Sequence, residues 1–393
     1  MGKTNVSKVN WAELKQYCIS DRELQVISAR AEDDTVDETA AKFGVSIRAI
    51  YTISGAVKAR AARKGHAPEH DMTATAPDGF QVKGVSTYYN ASGQKTGQWV
   101  KTIGDKERQH EIMLLAIEET HKNYKPFKPS PKVKHTDKDL LSLITITDFH
   151  LGMYAWEAET GDDWDVNISK RVFLNAVSDM IEAAPKAHTG FLCQLGDFLH
   201  FDGITAVTPM SGHILDADTR YSKLVELTIE IMTQAVQMML KKFGKVVVVQ
   251  AEGNHDMSGS IWLRKHIKYV FSKDNRVEVI DNEFPYYAYL HGEILLGFHH
   301  GHKKKMAQLP KLFASEPRFR KLWGKATQAY IHTGHMHHER VVEDMGAIVE
   351  QNPSLSTRDA YSARGGWVSA RGAKVITYHT KLGEVHRTTV RPR

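Results

Sequence analysis

The chain has 393 residues, 41% apolar and 25% charged, with a formal charge of +6. That is the composition of a globular protein able to bury a sizeable core, longer than one average domain and biased toward an anionic partner. Two distant cysteines, Cys18 and Cys193, exclude a disulfide framework, no apolar run reaches the roughly 18–20 residues of a membrane span, and the polar N-terminus is not a signal peptide, so a cytoplasmic protein with no membrane partner is expected.

Residues 1–75 predict helices. Ser20 with Glu23 is a capping-box pair opening a helix to about Ala31, a second helix is expected from near Asp37 to a C-cap at Gly44, and a third from Ser46 through Ile47, Ile50 and Ile53. The set Ala40, Gly44, Val45, Ile50 and Ile53 resembles helix-turn-helix spacing. Arg48 and Tyr51, with Lys58, Arg60, Arg63 and Lys64 behind them, are then the expected DNA-binding residues, and phosphate contacts of that kind dominate nucleic-acid affinity. The alternative is a three-helix module for packing or oligomerisation, and a homo-oligomer stays open.

Residues 76–135 predict a hairpin around Asn90-Ala91-Ser92-Gly93, a helix over 106–122, and a Lys- and Pro-rich linker over 124–135. Residues 136–393 alternate strand-like runs, at 141–147, 190–195, 245–251 and 294–299, with helical segments at 170–184 and 221–242. Terminal strands are expected at 375–378 and 385–390, and Arg364-Gly365-Gly366-Trp367 reads as a turn. Such alternation predicts a layered α/β (α+β) domain. The stretch 204–220 is an insertion, either a lid or a subunit contact.

Five clusters dominate this last region: Asp148-Phe149-His150, Gly196-Asp197, Gly253-Asn254-His255-Asp256, His300-Gly301-His302 and Gly334-His335-Met336-His337. Four come directly after expected strands, and an α/β sheet gathers the loops at its strands' carboxyl ends along one edge. Carboxylate and amide oxygens mixed with imidazole nitrogens suit transition metals rather than calcium, and seven ligands with one shared carboxylate provide for two ions while leaving open positions.

In their order these signatures resemble the calcineurin-like metallophosphoesterase superfamily over roughly residues 140–340. The resemblance implies a β-sandwich flanked by helices, with one metal on Asp148, His150, Asp197 and His337 and the other on Asp197, Asn254, His300 and His335. His299 and His302 compete with His300 for its place. The expected cofactor is a pair of divalent ions, Mn first, with Fe, Zn, Co or Ni as alternatives.

A bridging hydroxide would attack phosphorus in line, with His255 stabilising the transition state and protonating the leaving group, a role the resemblance assigns to it. Asp256 and His200 complete the expected catalytic group. Many phosphatases of the family have an aspartate where this chain has His200; that departure and Leu151-Gly152 look closer to the recombination-repair nuclease branch. Lys303, Lys304 and Lys305 add positive charge beside the fourth cluster. The expected activity is DNA nuclease. A phosphomonoesterase or protein or nucleotide phosphatase with a regulatory N-terminal module, and a non-catalytic DNA-binding regulator with a structural metal, are the alternatives.

Overall fold

A computed structural model describes residues 9–70, 72, 76, 80–105, 107–108, 111, 115, 125–209 and 211–392, so the helix expected over 106–122 lies almost wholly outside the described residues. The chain divides into two compact units, Met1–Ala116 and Ile117–Arg393.

The first unit holds helices α1 (Trp11–Leu14), α2 (Asp21–Ala31), α3 (Val36–Phe43) and α4 (Ile47–Arg63). Ser20 Oγ accepts from Glu23 N at 3.2 Å, which makes the N-cap half of the expected box, while the Glu23 carboxylate accepts from Ile19 N at 2.8 Å, one residue before the cap, rather than from Ser20 N. Thr35 and Glu38 form a full capping box that starts α3 one residue ahead of the expected Asp37. Gly44 ends α3 with φ +63°, a left-handed C-cap that glycine adopts without steric cost. Val26, Ala40 and Ile50 are the buried centre where α2, α3 and α4 meet, with Val36, Phe43, Val45 and Ile53 around them. Hairpin strands β1 (Phe80–Tyr89) and β2 (Lys95–Gly104) pair antiparallel, and Asn90 Oδ1 accepts from Ser92 N and Gln94 N to close the expected turn.

Three of the six residues expected to contact DNA are engaged inside this unit. Arg60 makes a two-pronged pair with Glu23 at 2.9 and 3.0 Å, Lys64 pairs with Asp105 at 2.7 Å, and Lys58 lies over the Trp11 ring. Arg60 and Lys64 are thereby charge-matched within their own chain, while Lys58 keeps its charge over a neutral ring. Arg48, Tyr51 and Arg63 are exposed.

The second unit is built on two sheets. The six-stranded one runs β13-β12-β3-β4-β5-β6, in which β3 (Asp137–Ile146), β4 (Ala187–Gln194), β5 (Lys245–Gln250) and β6 (Val277–Val279) are parallel, and β12 (Ala373–His379) and β13 (Gly383–Val390) continue it antiparallel. The five-stranded one runs β10-β11-β9-β8-β7, from β7 (Tyr287–His291), β8 (Ile294–Phe298), β9 (Gln328–Thr333), β10 (Arg340–Asp344) and β11 (Ala347–Gln351), with β8, β9 and β11 parallel.

The two-residue period of strands decides the layering. Leu141, Leu143, Phe191, Cys193, Val247 and Val249 from one sheet pack against Tyr287, Ile294, Leu296, Phe298 and Tyr330 from the other. The outer face of the first sheet carries α5 (Val166–Ala183), α6 (Tyr221–Leu240) and α7 (Met257–Val270). On the outer face of the second, Leu295, Ile331 and Val349 meet Phe313 of α8 (Leu309–Ser315). This is the helix-flanked sandwich that the resemblance implied.

The Lys- and Pro-rich stretch is docked rather than a free solvated linker. Phe127 N donates to Val270 O, its ring stands 5.4 Å from that of Phe271, and Ser130 N donates to Asp274. The insertion at 204–220 is tied to the loop after β3 by bridges between Met153 and Ala217 and within itself between Val207 and Ile214.

Candidate metal centre

All five clusters lie just beyond carboxyl ends of parallel strands: Asp148 after β3, Asp197 after β4, Asn254 and His255 after β5, His300 after β8, His335 and His337 after β9. The positions are tight. A Cβ on Gly253 would sit 2.1 Å from Asp197 Oδ1, and one on Gly334 1.8 Å from Thr147 Oγ1 and 2.6 Å from Asp148 Oδ2. Glycine is therefore what lets the loops converge.

Backbone strain marks the same residues. Asp148, His150, Asp197, His335 and His337 all have φ between 49° and 75°, and they are five of the eight non-glycine residues with positive φ among those described. Such conformations cost on the order of 1–3 kcal/mol each and persist only where the surroundings over-determine them. For Asp148 the surroundings are explicit. Ser354 and Ser356 donate to its carbonyl at 2.8 and 2.9 Å, and Thr147 Oγ1 and His335 N donate to Oδ2 at 2.6 and 2.8 Å.

Two donor groups emerge. In the first, Asp148 Oδ1 lies 3.1 Å from His337 Nε2, which is 3.4 Å from His150 Nε2. Asp148 Oδ1 is buried and makes no hydrogen bond. A buried carboxylate oxygen without a hydrogen bond, facing two imidazoles, fits a divalent cation. In the second, His300 Nε2 lies 3.1 Å from both Asp197 Oδ2 and Asn254 Oδ1, and the ligand atoms of Asp197, His300 and His335 are within 4.8 Å of one another. His300 Nδ1 donates to Leu195 O at 2.9 Å, leaving Nε2 as the atom turned to the site. The donor chemistry and spacing fit two divalent ions.

His300 is also separated from its competitors. His299 turns Nδ1 to Pro285 O and stacks on Tyr286 at 4.3 Å, while the His302 ring lies 5.5 Å from that of His299 and 5.3 Å from that of His300.

The electrostatics are those of opposed charges in a dry site. Burial works against the charge of Asp148 and Asp197, yet the neighbouring histidines hold both carboxyls below their ordinary range. Burial likewise opposes a charge on His300, but Asp197 and Asp148 together keep it up at about 9. His150 goes the other way, pushed well below its usual value by burial and by His255 and His337.

His255 Nδ1 donates to the carbonyl of His200 at 2.7 Å, and its backbone N donates to Asp197 Oδ1 at 2.8 Å. The orienting partner is thus a backbone carbonyl, so the aspartate absent at position 200 is not needed for that task. The His200 ring faces His150, Nδ1 to Nδ1 at 3.4 Å, and burial with His255 pushes it down to about 3.

Asp256 does not match its expected catalytic place. Its Oδ1 accepts from Gly253 N and Asp197 N, and its Oδ2 from Phe198 N and Leu199 N. Fully buried and spent on four amides, it fixes the loop after β4 and has no oxygen to offer a substrate.

Several residues carried no sequence signal. Gln194 clamps both backbone groups of Gly196, and Gln250 in turn donates to Gln194. Asp202 accepts from Ser258 N and Gly259 N at the start of α7, and burial with Asp256 nearby raises it to about 7. An isolated Gln, Ser or Asp is too common for spacing to single it out.

No protein-family model matches the chain, and no curated protein shows significant similarity to it. Solved structures do. The chain is similar to a predicted phosphoesterase from Streptococcus pneumoniae, with 12% identity over 65% of this chain and 100% of that one and a TM-score of 0.28. It is similar to a dimetal phosphatase from Danio rerio, with 10% identity, 65% and 100% coverage and a TM-score of 0.32. An archaeal phosphodiesterase gives 10% identity, 63% and 99% coverage and a TM-score of 0.31.

Proposed function

We propose that the chain is a dinuclear-metal phosphodiester hydrolase acting on nucleic acid, with DNA favoured. Asp148, His150, Asp197 and His337 would hold one cation, and Asp197, Asn254, His300 and His335 the other. The observation that carries this is the convergence of two carboxylates, an amide oxygen and four imidazoles from five separate segments, with Asp148 Oδ1 buried and unbonded at their centre. When bound, two divalent ions neutralise phosphate charge and lower the pKa of water; Mn is the first expectation, with Fe, Zn, Co or Ni as alternatives.

The chain's own residues position and transfer the proton. The bond from His255 Nδ1 to His200 O fixes the ring and leaves Nε2 to protonate the departing oxygen. Asp256 keeps the Asp197 loop in place through its four amides. Support for a nucleic-acid backbone comes from the +6 charge, the exposed Lys304 and Lys305 beyond Lys303, which pairs with Glu252, and Arg48, Tyr51 and Arg63 exposed on α4.

The test is to load the full chain with Mn and incubate it with labelled single- and double-stranded DNA beside a phosphopeptide and a nucleotide monophosphate. Strand cleavage is expected. Intact DNA with brisk phosphate release from the monoesters would reject a nuclease in favour of a phosphatase.

A further inference from the structure

Arg364-Gly365-Gly366-Trp367 has no part in the metal centre, yet the loop that carries it starts there. Ser354 and Ser356 hold the carbonyl of Asp148, and Asp359, three residues on, is within electrostatic reach of His337 and His200. Asp359 then caps a one-turn helix, Ala360–Arg364, by accepting from Ser362 N at 2.8 Å. Two ties to the loop after β3 fix this helix: Arg358 Nε donates to Thr160 O at 2.8 Å, and Arg364 pairs with Glu159 at 2.8 Å.

The outer side of this anchored turn is aromatic and open. Tyr361 is 73% and Trp367 57% exposed, their rings edge-to-face with centroids 5.4 Å apart. Trp367 is nonetheless held. Its N donates to Ser362 O, and the indole lies so close over Gly365 that a Cβ there would stand 3.1 Å from three of its ring atoms. Gly366 makes the turn with φ +71°. An indole fixed on one side and bare on the other is a surface for another flat ring.

We propose that Tyr361 and Trp367, on the turn that Arg364 ties to Glu159, form a stacking platform beside the metal centre that takes an unpaired nucleobase of the substrate strand, an inference that rests on the nucleic-acid function proposed above. Aromatic faces hold bases without regard to sequence. Arg364 and Arg371 of this segment are paired with Glu159 and Asp162, so the hold on a base rests on the aromatic faces rather than on charge. A base in a duplex has both faces stacked, so the platform selects single strands or frayed ends over intact duplex.

Binding can be measured without turnover in the full chain carrying His255→Asn, Mn-loaded, with a fluorescent oligothymidylate and a duplex hairpin as probes. Adding Trp367→Ala or Tyr361→Ala is expected to weaken oligothymidylate binding about 5- to 150-fold, the loss of one base–aromatic stack, while Trp367→Phe restores most of it. In the otherwise native chain, Trp367→Ala should lower by a similar factor the ratio of kcat/KM for single-stranded DNA to that for bis(p-nitrophenyl) phosphate. DNA cleaved and bound alike by the native chain and both alanine variants discards the platform and leaves the nuclease standing. An unchanged ratio with both activities reduced, or a Trp367-dependent self-association with no change in DNA binding, likewise overturns it. A native chain that hydrolyses only monoesters and binds no oligonucleotide removes the nuclease and the platform with it.

Discussion

Gly253→Ala adds a single methyl group next to Asp197, the carboxylate proposed above to serve both cations. Built on the backbone, that Cβ would stand 2.1 Å from Asp197 Oδ1, 2.2 Å from Asp197 N and 2.8 Å from Asp256 Oδ1. Real Cβ contacts do not close below 3.0 Å, and backbone cannot swing aside as a side-chain tip can. Asp197 must therefore retreat by about 1 Å, a displacement that costs on the order of 100-fold in rate when it falls on a reacting constellation. Overpacking of this kind also destabilises by about 1–3 kcal/mol, which leaves most domains folded. Because Asp197 is proposed above to serve both cations, metal content should fall together with activity. Elemental analysis of the purified protein, with turnover of a generic phosphodiester, reads both. Gly203→Ala is the control, since nothing lies within 4 Å of its added Cβ. A Gly253→Ala protein with two ions and unchanged turnover would refute the placement of Asp197 as the shared ligand.

Two more expectations rest on the same geometry. His255→Asn keeps the backbone bond from residue 255 to Asp197 but loses the ring nitrogen turned to the substrate, so metal content should hold while kcat drops about 10²- to 10⁴-fold; near-native kcat would remove His255 from proton transfer. Glu350 on β11 is 2% exposed and bonded to Lys374 on β12 and Arg387 on β13, which joins the two sheets. Burial opposes its charge, but Arg387 and Lys374 hold its carboxyl down to about 2. Its folded value lies below the unfolded one, so its stabilisation is complete above the unfolded value of roughly 4.3 and is lost as pH falls toward 2. Glu350→Ala leaves the buried Lys374 with only the half-exposed Glu339 and should cost about 3–5 kcal/mol in denaturant unfolding at pH 7. The variant's unfolding free energy should also change less than the native chain's between pH 5 and 3, and an equal change would exclude Glu350 as the group responsible.

Much of the centre was legible because it is encoded locally. A strand running into Asp-x-His or Gly-Asp is read from the two-residue period and the glycine that ends it, and Ser20, Gly44 and Ser46 announce the helix ends they cap. The roles of individual polar side chains were not. Asp256 reads as a catalytic neighbour of His255 in sequence, but four amides brought to it by the β4 loop consume its oxygens. Arg60 and Lys64 read as free cations until Glu23 and Asp105 are seen to face them.

The sequence alone determined the layered architecture, the order of the ligand clusters and their common edge, since each depends on periodicity and turn chemistry within a few residues. Only the tertiary structure decided which of His299, His300 and His302 faces Asp197, that a carbonyl orients His255, and that five ligand residues adopt left-handed backbone. Those outcomes depend on partners 50 or more positions away, such as Ser354 and Ser356 on Asp148 and Leu195 on His300, and contacts across such distances are fixed by sheet packing rather than by any local pattern.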